Sequence, residues 1–283
     1  MVHHEKDWGK SMIDEKSYSY WFDYQVDEFK AHQKPQYIDA AAFKIHDIAQ
    51  NFSFGINILS HTEKFGNSHC DLLFKTMCTE SSLMFFCSCI EYLRQMLFLY
   101  GQPDDVDLYN HETLEAKLQN KSLSSVVDDL LCYLGNIDTS SKEKYERISE
   151  IIRDLDKQIS MLHLIERYNY VKHRGQFHIN GLPGNSTMAF NGKIKMRKES
   201  NGRSVEISPK SLLYKETVDI DKMIEELYCG YEKLCQSFNS ILRILPFDEY
   251  KQEKREFGII GILKCFDTED EYEIAPAESP NGK

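Results

Sequence analysis

Apolar residues along this chain recur mostly at helical spacing. After Pro35, the positions Ile38, Ala42, Ile45, Ile48, Ala49, Phe52 and Ile56 fall three or four apart, which predicts a helix opened by the proline. Phe65-Gly66-Asn67-Ser68 reads as a loop, and a soft boundary follows residue 67. Residues 81–100 predict a second helix, with Thr79 or Ser81 as N-cap and Gly101-Gln102-Pro103 as its stop. Residues 112–134 predict a helix pair, or one helix broken around Lys121-Ser122, and Gly135-Asn136 ends it. Residues 140–173 predict the longest helix, leaving through Arg174-Gly175, and residues 218–245 predict the last, stopped by Pro246. Tyr18, Tyr20, Trp21, Phe22 and Tyr24 alternate with polar residues near the start, which predicts a short helix docked on the body.

Between the last two long helices the period changes. Asn-Gly occurs at 180–181, 191–192 and 201–202, and the last two flank the alternating run Lys193-Ile194-Lys195-Met196-Arg197-Lys198. Asn-Gly adopts the positive φ angles of tight hairpin turns, so residues 176–207 predict a small antiparallel β-meander inserted into a helical bundle. One more strand is expected at 257–266, followed by an acidic, frayed tail that contains Pro276 and Pro280. The expected organisation is a mainly α protein: an N-terminal helical extension (1–67), a bundle (68–245) carrying the meander, and a short strand with a tail (246–283).

Composition narrows the class. At 283 residues the chain is long enough for a substantial core. Eight cysteines, scattered and without a CxxC pair, do not make a disulfide scaffold, and they read as buried reduced thiols of a cytoplasmic protein. His69, Cys70 and Cys78 lie close together but lack two further ligands at zinc spacing, so no metal is expected. Residues 1–10 are polar with no apolar run behind them, and the most apolar stretch is interrupted by Glu91 and Arg94, so no secretory signal and no membrane span are expected. A net charge of −11 excludes a histone-like coat for nucleic acid, though not a local basic patch.

The chemistry-bearing segment is the end of the longest predicted helix, Glu166-Arg167-Tyr168-Asn169-Tyr170-Val171-Lys172-His173-Arg174-Gly175. At heptad steps, Ile148, Leu155, Leu162 and Asn169 form one line, and Ile152, Ile159, Glu166 and His173 its neighbour. Both lines turn polar at the same level, which predicts a satisfied polar network or a lined cleft at the end of the core. The plain alternative is an ordinary helix end: Lys172, His173 and Arg174 meet the negative end of the dipole and Gly175 supplies the cap.

Arg167, five intervening residues and His173 resemble the Arg-x4–6-His motif of the HEPN superfamily, over about residues 68–245. The resemblance implies an antiparallel helical bundle with the motif before the last long helix. It implies a metal-independent endoribonuclease of a prokaryotic defence or toxin–antitoxin system, with RNA as substrate and no cofactor. On that reading His173 is the acid/base for 2′-OH attack, Arg167 stabilises the phosphate, and Asn169 orients phosphate or imidazole. It further implies a homodimer whose two motifs meet across a two-fold axis, and an antitoxin or defence-complex partner. Tyr168 stands where the family usually has a small polar residue, and Asn169 follows one place later. An ideal helix also points Arg167 away from Asn169 and His173, which makes Arg174 the alternative cation. Lys172 and Arg174, with Lys193, Lys195 and Arg197 on one side of the predicted strand, are the expected RNA contacts. Glu91 and Arg94, three apart on an apolar helix, either pair with each other or line a cleft opposite the motif. The competing function is a non-catalytic HEPN-like module that dimerises or binds a partner protein.

Overall fold

A computed structural model describes residues 13–25, 35–101, 111–119, 121–137, 142–174, 177–179, 217–245 and 247. They form a helical bundle of seven α-helices: α1 (Pro35–Ser60), α2 (His69–Tyr100), α3 (His111–Leu118), α4 (Leu123–Ile137), α5 (Lys142–Met161), α6 (Leu164–Arg174) and α7 (Ile220–Ile244). The apolar positions that predicted α1 are all buried, and α1 packs along α2. The hydrophobic core continues across residue 67, from Trp21 and Phe52 through Phe86 to Phe238. The aromatic N-terminal segment does dock on the body, as 3-10 turns at Glu15–Ser17 and Ser19–Gln25. Trp21 is fully buried with its indole N–H donating to Asn239 Oδ1 at 2.6 Å, and Tyr20 Oη donates to the same oxygen at 2.6 Å.

α2 begins at His69, well before the predicted start near residue 81, and it is the longest helix among the described residues. Ser68 caps it. The Ser68 hydroxyl accepts from Asp71 N at 3.2 Å, and the Asp71 carboxylate accepts from Ser68 N at 3.3 Å, a reciprocal capping box. α2 has the length and apolarity of a membrane-crossing helix, but more than half of its apolar window is buried inside the fold. Its centre is tied to both neighbours. Tyr231 of α7 donates to Ser82 O at 2.7 Å, and Ser82 donates to Gly55 O of α1 at 2.9 Å. Gly55 is what lets these helices close: a Cβ there would lie 1.8 Å from Tyr231 Oη.

The predicted helix over 140–173 is two helices. Residue 163 has a positive φ of 53°, a conformation uncommon outside glycine that histidine enters more readily than most, and the chain turns between α5 and α6 there. Leu162 falls in this turn and is half-buried, whereas Leu164 is fully buried at the start of α6.

The predicted antiparallel meander is a second correction. Among the described residues the only strand pairing is β1 (His178–Ile179) with β2 (Thr217–Val218), two residues each and parallel. Parallel neighbours need a crossover and cannot be closed by a tight hairpin. The Asn-Gly pairs, the run Lys193 to Lys198 and the predicted strand over 257–266 lie outside the described residues. The start of β1 is anchored by Phe177, whose backbone N–H donates to Glu80 of α2 at 3.2 Å and whose ring stacks on Tyr170 at 5.0 Å.

Candidate functional site

α6 carries the predicted motif, and the break before it sets where each side chain faces. Upstream, Ile148, Ile152, Leu155 and Ile159 are buried as the heptad lines predicted. Downstream, Asn169 and His173 are exposed and do not continue the core face. The turn at His163 resets the helical phase, so the two lines do not run on into α6. Of the two expectations for this level, a satisfied polar network or a lined cleft, the exposed Asn169 and His173 form no buried network, and Asn169 borders a cleft. Asn169, Lys172 and His173 are spaced i, i+3 and i+4, which makes them neighbours on one exposed face.

Arg167 lies elsewhere on the helix. Its guanidinium pairs with Glu226 of α7, and the two side chains are only 13% and 16% exposed. Arg167 Nε has no hydrogen-bond partner. The structure thus brings together Asn169, Lys172 and His173 and leaves Arg167 out, held against the last helix. Lys222 supports Glu226 from one turn earlier, at 3.8 Å. The Arg174 side chain and Lys193, Lys195 and Arg197 fall outside what is described.

Beside the exposed face lies an open cleft of about 920 Å³. α6 supplies Tyr168, Asn169 and Lys172, α2 supplies Glu91, Tyr92, Arg94 and Gln95, α3 supplies Glu115, the turn after it Gln119, and α1 supplies Lys44. Neither Arg167 nor His173 is among its lining residues. Of the two readings of Glu91 and Arg94 the pairing holds, and the cleft they line is shared with Asn169 but not with Arg167 or His173. Arg94 Nη2 donates to Glu91 Oε1 at 2.6 Å. Arg94 also donates to Lys121 O at 2.7 Å, which ties the α3–α4 turn to α2. Two rings in the cleft carry an ammonium nearby: Lys172 Nζ is 5.8 Å from the Tyr168 ring centroid, and Lys44 Nζ is 5.0 Å from that of Tyr92.

Cys87 also lines the cleft, but burial pushes its thiol up to about 12. It is a neutral wall at physiological pH and not a nucleophile. Among the described residues no group of three or more His, Cys, Asp or Glu side chains is gathered to hold a metal ion. Sequence reasoning missed Tyr168, Tyr92, Lys44 and Glu115 as cleft residues, and Glu226 as the partner of Arg167. The i, i+4 spacing of Tyr168 and Lys172 was the one local signal; the other positions come together only through packing.

Comparison with family models, with curated proteins and with solved structures finds no match to this chain.

Proposed function

We propose that this protein cleaves RNA without a metal ion, using the exposed end of α6. The observation that carries this reading is the contiguous Asn169, Lys172 and His173 face beside an open cleft. RNA brings its own nucleophile. A neutral His173 takes the proton from the ribose 2′-OH, the 2′-oxygen bonds to phosphorus, and the bond from phosphorus to the 5′-oxygen breaks. The leaving oxygen takes a proton from water or from the imidazole of a second copy. The products are a 2′,3′-cyclic phosphate and a 5′-hydroxyl. Lys172 neutralises charge on the non-bridging oxygens and Asn169 orients the phosphate. Arg167, engaged with Glu226, acts in this reading by positioning α6. Two copies meeting near the ends of their α6 helices would supply the second imidazole. A cytoplasmic defence or toxin role, restrained by an antitoxin or partner protein, fits such an activity.

The test is digestion of labelled RNA in excess EDTA, with end-group analysis. Cleavage with cyclic phosphate ends is expected, and His173→Ala should lower the rate by about 10²-fold or more while leaving the fold intact. In cells, growth arrest by the wild type and normal growth with soluble His173→Ala are expected. A strict requirement for Mg²⁺ or Mn²⁺ would refute the mechanism. A second reading, a non-catalytic module that dimerises or binds a partner, is favoured by the Arg167–Glu226 pair, which takes the motif arginine from the imidazole. Intact RNA and unchanged growth with both proteins would select it.

A further inference from the structure

The cleft between α2, α3 and α6 adjoins the proposed reactive face, and only its Asn169 and Lys172 edge enters the cleavage step. Asn169 and Lys172 belong to both, so a strand whose scissile phosphate lies at His173 runs on into it. Its volume of about 920 Å³ is the scale of a ligand pocket. Its chemistry is mixed. Tyr168 is half-buried with one ammonium near its ring, and Lys172 makes no ion pair among the described residues. An aromatic face beside a cation is how single strands are held, since the ring takes a base and the cation its phosphate. The carboxylates of Glu91 and Glu115 also line the cleft. Glu91 accepts from Arg94 at 2.6 Å through Oε1, and its side chain stays 44% exposed to the cleft. The two carboxylates suit the amino edge of a base, where they accept from an exocyclic NH₂. Gln95, nine-tenths buried at the same place, has an Oε1 with no hydrogen-bond partner in the protein, an acceptor on the floor of the cleft.

We infer that this cleft holds one nucleotide of single-stranded RNA, with its base against Tyr168, its phosphate on Lys172 and an amino-bearing base edge facing Glu91 and Glu115. The inference rests on the RNA reading above and adds a specificity: cytosine, with its amino group, is held more tightly than uracil, which has none.

The experiment is fluorescence anisotropy of the full chain with short labelled oligo(C) and oligo(U), each single-stranded and as a duplex, while cleavage of the same strands is followed on gels. Single strands should bind more tightly than duplexes, and oligo(C) more tightly than oligo(U). Tyr168→Ala should weaken oligo(C) binding roughly 5- to 100-fold, and Tyr168→Phe should restore most of it. Lys172→Gln, at an exposed position where the fold is not at stake, should weaken binding and flatten its salt dependence. Single-stranded binding that needs Tyr168, with no cleavage, would uphold the cleft and defeat the proposed nuclease. Cleavage with wild-type kinetics in Tyr168→Ala would uphold the nuclease and overturn the cleft. Equal binding of oligo(C) and oligo(U), duplexes bound as well as single strands, or no binding at all would each overturn the inference.

Discussion

Replacing Arg167 separates a positioning role from direct phosphate contact. Arg167→Met keeps an aliphatic stem of similar length but removes the charge that faces Glu226. Removing one partner of a buried ion pair costs about 3–5 kcal/mol, because the other charge is stranded. Here both side chains keep a little exposure, and Lys222 remains 3.8 Å from Glu226, so the expected loss is smaller. We expect about 2–3 kcal/mol, or a fall in Tm of roughly 3–5 °C for a chain of this size. Removing the stranded charge as well, in Arg167→Met/Glu226→Leu, should bring stability back to within about 1–2 kcal/mol of wild type, since apolar replacements of buried pairs are often neutral. Guanidinium titrations followed by far-ultraviolet circular dichroism give the stabilities, and the RNA assay in EDTA gives the activities. A positioning residue predicts that the double variant recovers stability and most of its cleavage together. Arg167→Met with wild-type stability and no cleavage, or a double variant that is stable but inactive, would refute the reasoning and put Arg167 on the phosphate.

Three further outcomes follow from the packing. Gly55→Ala should lower stability by about 1–3 kcal/mol in calorimetry despite the better helix propensity of alanine, because the new Cβ meets Tyr231 Oη; a rise in Tm would show that Tyr231 moves away freely. Leu164→Ala should cost about 2–5 kcal/mol and the half-buried Leu162→Ala clearly less, so equal losses in denaturant titrations would deny the turn at His163. Cys70, Cys132 and Cys229 should react with a thiol reagent in the native protein at pH 8, while Cys87 and Cys89 should react only on unfolding; fast native labelling of Cys87 would show that its burial is wrong. The same burial sets a pH dependence. Cys87 is raised from 9.0 to about 12 and Cys235 to about 11, so the stability they lend is complete below pH 9 and is lost as pH rises from there toward 11–12.

The parts of the fold that spacing revealed are those whose burial follows one helix face. α1, α7 and the buried lines of α5 are of this kind, and so is the division between α3 and α4. The start of α2 was hidden because its first turns bury polar side chains. Lys75 is buried beside Asp221 at 3.2 Å, and Glu80 accepts from Phe177 N, while Phe74, Met77 and Met84 stay exposed. A helix with polar residues inside and apolar ones outside has no clean stripe to read. The break at residue 163 was hidden for a different reason: neither glycine nor proline marks it, and a histidine takes the positive φ. The β expectation failed because Asn-Gly reports a local turn, whereas the pairing of His178 with Thr217 is set by chain far apart in sequence. In the candidate site, the divergence of Arg167 from Asn169 and His173 was legible from helix geometry. Its partner, Glu226, was not, because nothing local to either residue requires the other.

The turn at His163 makes α6 a separately indexed unit. Within a helix, each inserted or deleted residue rotates everything beyond it by about 100° and shifts it by about 1.5 Å. A single insertion between Leu164 and Asn169 would swing the polar triplet off its open side and carry Lys172 out of the cleft. The same insertion in the turn at Leu162-His163 could be absorbed there, leaving both helices in phase with their own neighbours. Length changes in this region are therefore unequal: the joint tolerates them and the arm does not. Arg167, clasped to α7 three residues into that arm, holds its angular setting, so the orientation of the polar face is inherited from the last helix and not from the long one that precedes it in the chain.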